Sequence, residues 1–180
     1  MRDPARGDVA RSFPPIAARH AHTLILGSMP GRDSLRAVRY YAHARNAFWP
    51  IVLTLLDAPP DLDYDARIAL LRERGFALWD VLAECVRPGS LDASIDPASI
   101  VPNDIAGFLA RHPHIGRIAL NGGSAAALFR RHIAPMLPPD RDIEIILLPS
   151  TSPAHAGMPF AAKLDAWRVI GPATASATRG

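Results

Sequence analysis

Short apolar runs alternate along the chain with longer stretches of helical character. Four runs rich in aliphatic residues predict buried strands at residues 22–26, 76–79, 115–120 and 143–148. Amphipathic spacing or a capping residue predicts helices at 46–56, 63–74, 102–111, 124–132 and 160–170. Because strands and helices alternate, we expect an α/β protein with three α/β/α layers and a central four-stranded parallel sheet.

The length of 180 residues suits one domain with a real core and is too short for two. We expect a single domain over residues 14–172. Residues 1–13 and 173–180 lack apolar periodicity and predict flexible tails. Residues 88–101 are rich in Ser, Asp and Pro and predict a loop.

Small and polar residues follow each of the four predicted strands. The carboxyl ends of parallel strands meet at one edge of a sheet, where α/β proteins bind ligands. These residues therefore predict one shared site at that edge. The pairs are Gly27-Ser28, Trp79-Asp80, Asn121-Gly122 and Ser150-Thr151.

Composition excludes several classes of protein. Hydrophobic residues make up 49% of the chain, which excludes a disordered protein. Cys85 is the only cysteine, so a disulfide framework and a four-cysteine metal site are excluded, and we expect it buried. No run reaches the roughly 18 apolar residues of a membrane span, and the N-terminus lacks the apolar region of a secretory signal. We expect a cytoplasmic protein without metal or other cofactor.

The basic residues are 19 arginines and one lysine, and the net charge is +3. Arginine forks suit phosphate oxygens, which gives a modest bias toward nucleic acid. The bias is weak, because such a small charge is unusual for a DNA-binding protein and arginine usage also follows genomic base composition.

The turn after the first strand contains Gly27, Ser28, Met29, Pro30 and Gly31. Its glycines let backbone approach a ligand closely, and its N–H groups can bind an anion or a carbonyl oxygen. An ordinary Gly/Pro turn is the alternative. The pattern is neither a P-loop nor a nucleophile elbow.

Residues 40–49 combine aromatic rings, an imidazole, a guanidinium and an amide. Aromatic faces stack on nucleobases, and an amide both donates to and accepts from a base edge. We expect Tyr41 and Asn46 to contact a ligand, and Phe48 and Trp49 to pack in the core.

The segments GSMPG, YYAHARNAFW, LNGG and PSTSPAHA, in this order, resemble the uracil-DNA glycosylase superfamily and within it the hypoxanthine-DNA glycosylases. The resemblance spans about residues 24–167. It implies the fold of that superfamily, no cofactor, and DNA containing deaminated bases as partner. It also implies a nucleoid-associated enzyme, expected to be a monomer, that excises deaminated bases, hypoxanthine first and uracil or xanthine in addition.

The resemblance also implies roles for individual residues. Asn46 matches the catalytic amide, Tyr41 the ring that stacks on the extruded base, and Asn121 the amide that reads the base edge. The turn Gly27–Gly31 matches a motif that binds the base. In the family, the loop of the second motif pushes into the duplex. It corresponds here to Ser150, Thr151, Ser152, Pro153, Ala154 and His155.

Two positions depart from the family pattern. Ala44 stands where the branch usually has Pro, which removes no reactive group. Ser150 stands where uracil-excising branches have His, so His155 is either a substitute or a surface histidine. Cleavage of an N-glycosidic bond passes through an oxocarbenium-like sugar, which needs a placed water more than a strong base. A neutral amide at Asn46 suits that chemistry.

Four further charged residues bear on the expected function. Arg32 and Arg45 are candidate phosphate contacts. Asp80 orients water, binds a base N–H, or caps a helix that begins at Val81, and we favour the cap. Lys163 lies in the last predicted helix, away from the strand ends, so we expect a monofunctional enzyme without a Schiff-base step.

Two other functions stay open on the sequence alone. One is a non-catalytic module on the same fold that binds nucleotides or damaged DNA. The other is a hydrolase that uses Ser28 or Ser150 with a histidine.

Overall fold

The computed structural model describes residues 9–172. The strands are β1 (Val9–Arg11), β2 (Thr23–Gly27), β3 (Phe76–Asp80), β4 (Leu82–Val86), β5 (Val101–Pro102), β6 (Arg117–Asn121) and β7 (Glu144–Leu148). The helices are α1 (Arg32–Ala37), α2 (Phe48–Leu55), α3 (Tyr64–Glu73), α4 (Ile105–Arg111), α5 (Gly123–His132) and α6 (Phe160–Trp167).

The central sheet has four parallel strands in the order β3-β2-β6-β7, which confirms the predicted sheet. Its register brings Gly27 of β2 opposite Asp80 of β3. At the other side of the sheet, Asn121 of β6 lies opposite Leu148 of β7. The four carboxyl ends therefore meet at one edge, as the polar residues after each strand predicted.

Helices cover both faces of this sheet. On one face, Phe108 of α4 and Phe129 of α5 pack against Leu24 and Leu26 of β2. On the other face, α2, α3 and α6 form a second cluster that includes the fully buried Trp167. Strand residues alternate between the two clusters, which explains why the strands read as continuous apolar runs. The arrangement is the expected three-layer fold.

The segment after Asp80 differs from the prediction, because it forms strand β4 and Asp80 caps no helix. The backbone N–H of Val81 donates to the carbonyl of Gly27 (2.8 Å), and that of Leu82 donates to Ser28 (3.1 Å). These bonds hold the chain extended after β3. The carbonyl of Val81 accepts from the backbone N–H of Asn103 (2.9 Å), so it is not available for the first bond of a helix.

A second, antiparallel sheet has the order β1-β4-β5. Its first strand, Val9–Arg11, lies in the segment predicted as a flexible tail, and that part of the prediction is wrong. Ala10 pairs with Cys85, and both side chains are buried, Cys85 as predicted. This burial holds β1 in place, although a strand of three residues is too short to show an alternation of apolar and polar residues. The rest of the predicted tails, residues 1–8 and 173–180, lies outside the described residues.

The predicted loop between β2 and α2 contains a short helix, α1, whose polar sequence has no amphipathic signal. Helix α2 begins at Phe48, two residues later than predicted. Within residues 9–172 no helix is long and apolar enough to cross a membrane. The same residues contain no group of three or more His, Cys, Asp or Glu side chains placed to hold a metal ion.

Candidate active site

A cavity of about 540 Å³ opens at the carboxyl edge of the central sheet. Its volume is typical of sites that enclose a small ligand. Residues from all four strand ends line it, together with residues from the α1–α2 segment and from the loop after β4. Every residue predicted to bind the base lines this cavity, as do Asn46, Arg32 and residues 150–155. Arg45 is exposed and does not line it.

The Gly27 turn (residues 27–31) lines the cavity. A Cβ on Gly27 would lie 2.6 Å from Oδ1 of Asp80 and 3.1 Å from the hydroxyl of Tyr41. The first distance is far shorter than any real contact of a Cβ atom, so a side chain at this position forces Asp80 to move. Glycine at this position lets the carboxyl of Asp80 and the hydroxyl of Tyr41 approach the backbone closely.

A buried guanidinium, which the sequence analysis missed, anchors the Gly27 turn. Arg87 is 3% exposed and donates to the carbonyls of Met29 (3.4 Å) and Pro30. It also pairs with Asp92 at 3.4 Å, and Asp92 accepts a hydrogen bond from the hydroxyl of Ser28. The sequence predicted a loop at residues 88–101 from its composition alone. It did not predict the bond between Ser28 and Asp92, because the two residues are 64 positions apart.

The hydrogen bonds of the two serines bear on the hydrolase alternative. Ser28 donates to Asp92, and the hydroxyl of Ser150 accepts from the backbone N–H of Ser152 (3.2 Å). A serine nucleophile needs a base within hydrogen-bond reach. In the described part of the chain neither serine has a histidine as that partner, so the arrangement disfavours this alternative.

Tyr41 is held in place from two sides. Its ring stacks on Phe48, with centroids 3.9 Å apart and an interplanar angle of 17°. Its backbone φ of 55° lies in the left-handed region, which is rare for a residue with a side chain and is common at functional sites. Burial raises the pKa of its hydroxyl, and the nearby Asp80 adds to this. Phe48 itself is fully buried, and Trp49 is nearly so, as predicted.

The amide of Asn121 links three parts of the site. Its Nδ2 donates to the hydroxyl of Tyr41 (3.1 Å) and to Oγ1 of Thr151 (3.0 Å). Its Oδ1 accepts from the backbone N–H of Thr151 (3.0 Å). Both amide hydrogens are therefore used within the protein. The residue that the sequence assigned to reading the base edge joins β6, Tyr41 and the segment after β7.

Asn46 lies half-buried at the cavity, just before α2. Its Oδ1 accepts from the backbone N–H of Phe48 (3.0 Å), a local bond typical of asparagine near a helix start. Within residues 9–172 its Nδ2 makes no hydrogen bond, so the amide N–H groups are free for a ligand or water. The neighbouring Ala47 N–H donates to the carbonyl of Thr151 (3.0 Å), which ties this segment to the opposite wall.

Asp80 lies at the end of β3, where it is 3% exposed and lines the cavity. Its Oδ2 is buried, and no hydrogen-bond partner for it exists among the described residues. Burial raises the pKa of this carboxyl to about 8, and the charge of Asp92 adds to the rise while Arg87 opposes it. The carboxyl is consequently neutral for the most part at pH 7.

Helix α6 holds the β7 loop (residues 150–155) at both ends. Trp167 donates through Nε1 to the carbonyl of Pro149 (3.0 Å), and Lys163 donates through Nζ to that of His155 (2.8 Å). The ammonium of Lys163 thus reaches a strand-end loop, which corrects its expected position away from the strand ends. Lys163 does not line the cavity. Ala154 and His155 are exposed at the rim.

Comparisons with known proteins identify the family of the chain. The sequence matches the uracil DNA glycosylase superfamily over residues 14–170. It is similar to a hypoxanthine DNA glycosylase of Methanosarcina acetivorans, 32% identical over 65% of this chain and 73% of the relative. A hypoxanthine DNA glycosylase of Methanosarcina barkeri is 31% identical over 62% of this chain and 70% of its own length.

The fold is similar to a solution NMR structure from Methanosarcina acetivorans, provisionally assigned as a uracil DNA glycosylase. The TM-score is 0.73 at 28% identity, and the match covers 89% of this chain and 98% of the other. The chain therefore belongs to the uracil DNA glycosylase superfamily. This membership confirms the predicted fold class and the expectation of a DNA glycosylase.

Proposed function

We propose that the chain is a monofunctional DNA glycosylase that extrudes hypoxanthine from DNA and hydrolyses its N-glycosidic bond, with uracil and xanthine as further substrates. The observation that carries the proposal is the cavity of about 540 Å³ that unites Asn46, Tyr41 and the Gly27 turn. The two relatives named as hypoxanthine DNA glycosylases support the choice of base.

In this proposal the extruded base enters between the Gly27 turn and Tyr41. One face of the Tyr41 ring is covered by Phe48, which makes the ring a rigid support for a flat base. Backbone N–H groups of the turn polarise the base as it leaves. Arg87 supports that role, because it donates to the carbonyls of Met29 and Pro30 and so holds the turn in place.

Asn46 holds the attacking water in this mechanism. Breaking the bond leaves positive charge on the sugar, and a water already in place adds to C1′ without a strong base. The free Nδ2 of Asn46 is suited to this task, because its Oδ1 is bound to the start of α2 and fixes the plane of the amide.

The β7 loop is proposed to enter the duplex beside the extruded nucleotide. Its anchoring by Trp167 and Lys163 keeps it rigid enough to support unstacking, which costs a few kcal/mol and least for a mispaired base. Arg32 at the cavity and the exposed Arg45 contact flanking phosphates. All these groups come from one chain, so we propose a monomer acting on the nucleoid in the cytoplasm.

A panel of duplexes tests the proposal. Each duplex carries a single deoxyinosine, deoxyuridine or deoxyxanthosine, and an otherwise identical duplex carries none. We expect release of free hypoxanthine and an abasic site that breaks only on alkali treatment. Strand breakage without alkali would contradict a monofunctional enzyme. Tight binding of the deoxyinosine duplex without base release would instead favour a non-catalytic binding module.

A further inference from the structure

The carboxyl of Asp80 is a reactive group at the cavity that the mechanism above does not use. It ends β3 beside Gly27, so close that a Cβ on Gly27 would lie 2.6 Å from its Oδ1. Its Oδ2 is buried and has no protein partner in the described part of the chain. A buried polar atom without a partner is uncommon in folded proteins, and a ligand that supplies the partner is a common reason for one.

The groups around Asp80 favour its protonated form. Asp92, in the loop after β4, places a like charge nearby, and the cation of Arg87 at the end of β4 opposes it only in part. The hydroxyl of Tyr41 lies at the same place, 3.1 Å from a Cβ on Gly27, whereas the hydroxyl of Tyr40 donates to the carbonyls of Phe13 and Pro14. Burial raises the pKa of both tyrosines. Among residues 9–172 no group donates a hydrogen bond to Oδ2, so the carboxyl keeps its proton and acts as a hydrogen-bond donor.

We propose that Asp80 is the acid that donates its proton to N7 of the departing purine. This inference rests on the proposed function, since it concerns how the base leaves the same cavity. It reverses the sense of one alternative that the sequence left open beside the favoured helix cap, in which Asp80 binds a base N–H. A purine carries an acceptor at N7, and an ionised carboxylate facing that atom repels it.

Protons and electrons balance in the proposed excision step. The C1′–N9 bond breaks, and its electron pair moves onto the imidazole ring of the purine. The proton of Asp80 moves to N7, so the base departs neutral and Asp80 remains as a carboxylate. The water held by Asn46 forms a bond to C1′ and releases a proton, and a proton from solvent restores Asp80. No oxidant, reductant or second substrate is needed.

The test is the pH profile of single-turnover excision on a deoxyinosine duplex, for the parent and for Asp80→Asn. We expect the parent rate to fall as the pH rises through about 8, because the proton donor is then lost. We expect Asp80→Asn to be about 10²-fold slower at pH 6.5 and to lack this fall. Its affinity for the same duplex should change less than threefold, which a disrupted fold would not allow.

Asp92→Asn provides a second measurement that leaves Asp80 in place. Removing the like charge should move the fall in rate to lower pH, because Arg87 then acts on Asp80 without opposition. A parent profile that is flat from pH 6 to 9, or an Asp80→Asn variant as fast as the parent, would overturn the inference. An unshifted profile in Asp92→Asn would overturn it as well. Absence of excision by the parent would refute the proposed function instead.

Discussion

The amide of Asn121 donates a 3.1 Å hydrogen bond to the hydroxyl of Tyr41, across 80 positions of the chain. The same amide is bound twice to Thr151, so it fixes Tyr41 relative to both β6 and the β7 loop. The position of the ring that we propose to support the base therefore depends on a side chain from the opposite wall.

Replacing Asn121 by Ala should lower both stability and activity. The substitution leaves the hydroxyl and N–H of Thr151 without partners, at a cost of about 2–3 kcal/mol in the free energy of unfolding. Tyr41 also loses its brace, so excision of hypoxanthine should slow at least tenfold. Urea denaturation and single-turnover excision measure the two effects.

Thr151→Val is the matched control for Asn121→Ala. It removes one hydrogen bond, leaves the bond from Asn121 to Tyr41 in place, and should lower the free energy of unfolding by about 1 kcal/mol. Equal activity loss in both variants would contradict the role of the brace.

Gly27→Ala should damage the site through a single methyl group. The added Cβ lies 2.6 Å from Oδ1 of Asp80, so the carboxyl or strand β2 must shift. Overpacking of this kind costs about 1–3 kcal/mol, and we expect excision to fall strongly. Gly31→Ala is the control in the same turn, because a Cβ there meets nothing within 4 Å and the backbone φ of −68° suits alanine. Thermal unfolding and excision of both variants check this, and a Gly31→Ala variant as impaired as Gly27→Ala would refute the steric reason.

Arg87 should contribute far more to stability than an exposed arginine does. Arg87→Ala removes a buried cation from two carbonyls and from Asp92, which costs about 3 kcal/mol because the partners stay desolvated. The exposed pair of Arg11 and Glu84 provides the comparison, and Arg11→Ala should cost less than about 1 kcal/mol. Denaturant unfolding measures both. Similar losses in the two variants would show that Arg87 does not anchor the Gly27 turn.

The raised pKa of Asp80 also predicts a stability change with a defined sign. The folded state holds this proton up to about pH 8, whereas an unfolded aspartate loses it near 3.8. The contribution of Asp80 to stability is therefore fully present below about pH 4 and declines as the pH rises to 8. Asp80→Asn lacks this decline, so it should be more stable than the parent at pH 8, by an amount on the order of a few kcal/mol.

Thermal unfolding of the two proteins at pH 4.5, 6 and 8 measures the difference. The advantage of Asp80→Asn should grow with pH. A difference that is constant over this range would mean that the carboxyl is ionised in the folded protein, and an advantage that shrinks would reverse the predicted sign.

Much of the fold was predictable, because the central strands are buried on both faces and read as continuous apolar runs. The strands of the second sheet were not. Val9–Arg11 is only three residues long and is held by pairing with β4. Strand β4 begins where the carbonyls of Gly27 and Ser28 bind the chain after Asp80. Both depend on contacts between distant segments, which no local pattern contains.

The candidate site was predictable in position and less so in detail. Polar residues after each strand, with the family segments, brought most of the lining residues together. The anchoring of the Gly27 turn by Arg87 was missed, since it joins residues 57 and 58 positions apart. The hydrogen-bond partners of Asn121 and Asp80 also followed only from the structure. Asn121 has both amide hydrogens bonded, whereas Oδ2 of Asp80 has no partner in the part of the chain that the structure describes.

The central claim is that Asn46 places the water that hydrolyses the bond to hypoxanthine. Its most direct test is single-turnover release of hypoxanthine by Asn46→Ser, compared with the parent. Serine retains the ability to bind the N–H of Phe48 and to start α2, so the fold should keep its stability while the amide is lost. The account predicts at least a 10²-fold slower release with unchanged affinity for the deoxyinosine duplex. Release at the parental rate would contradict it.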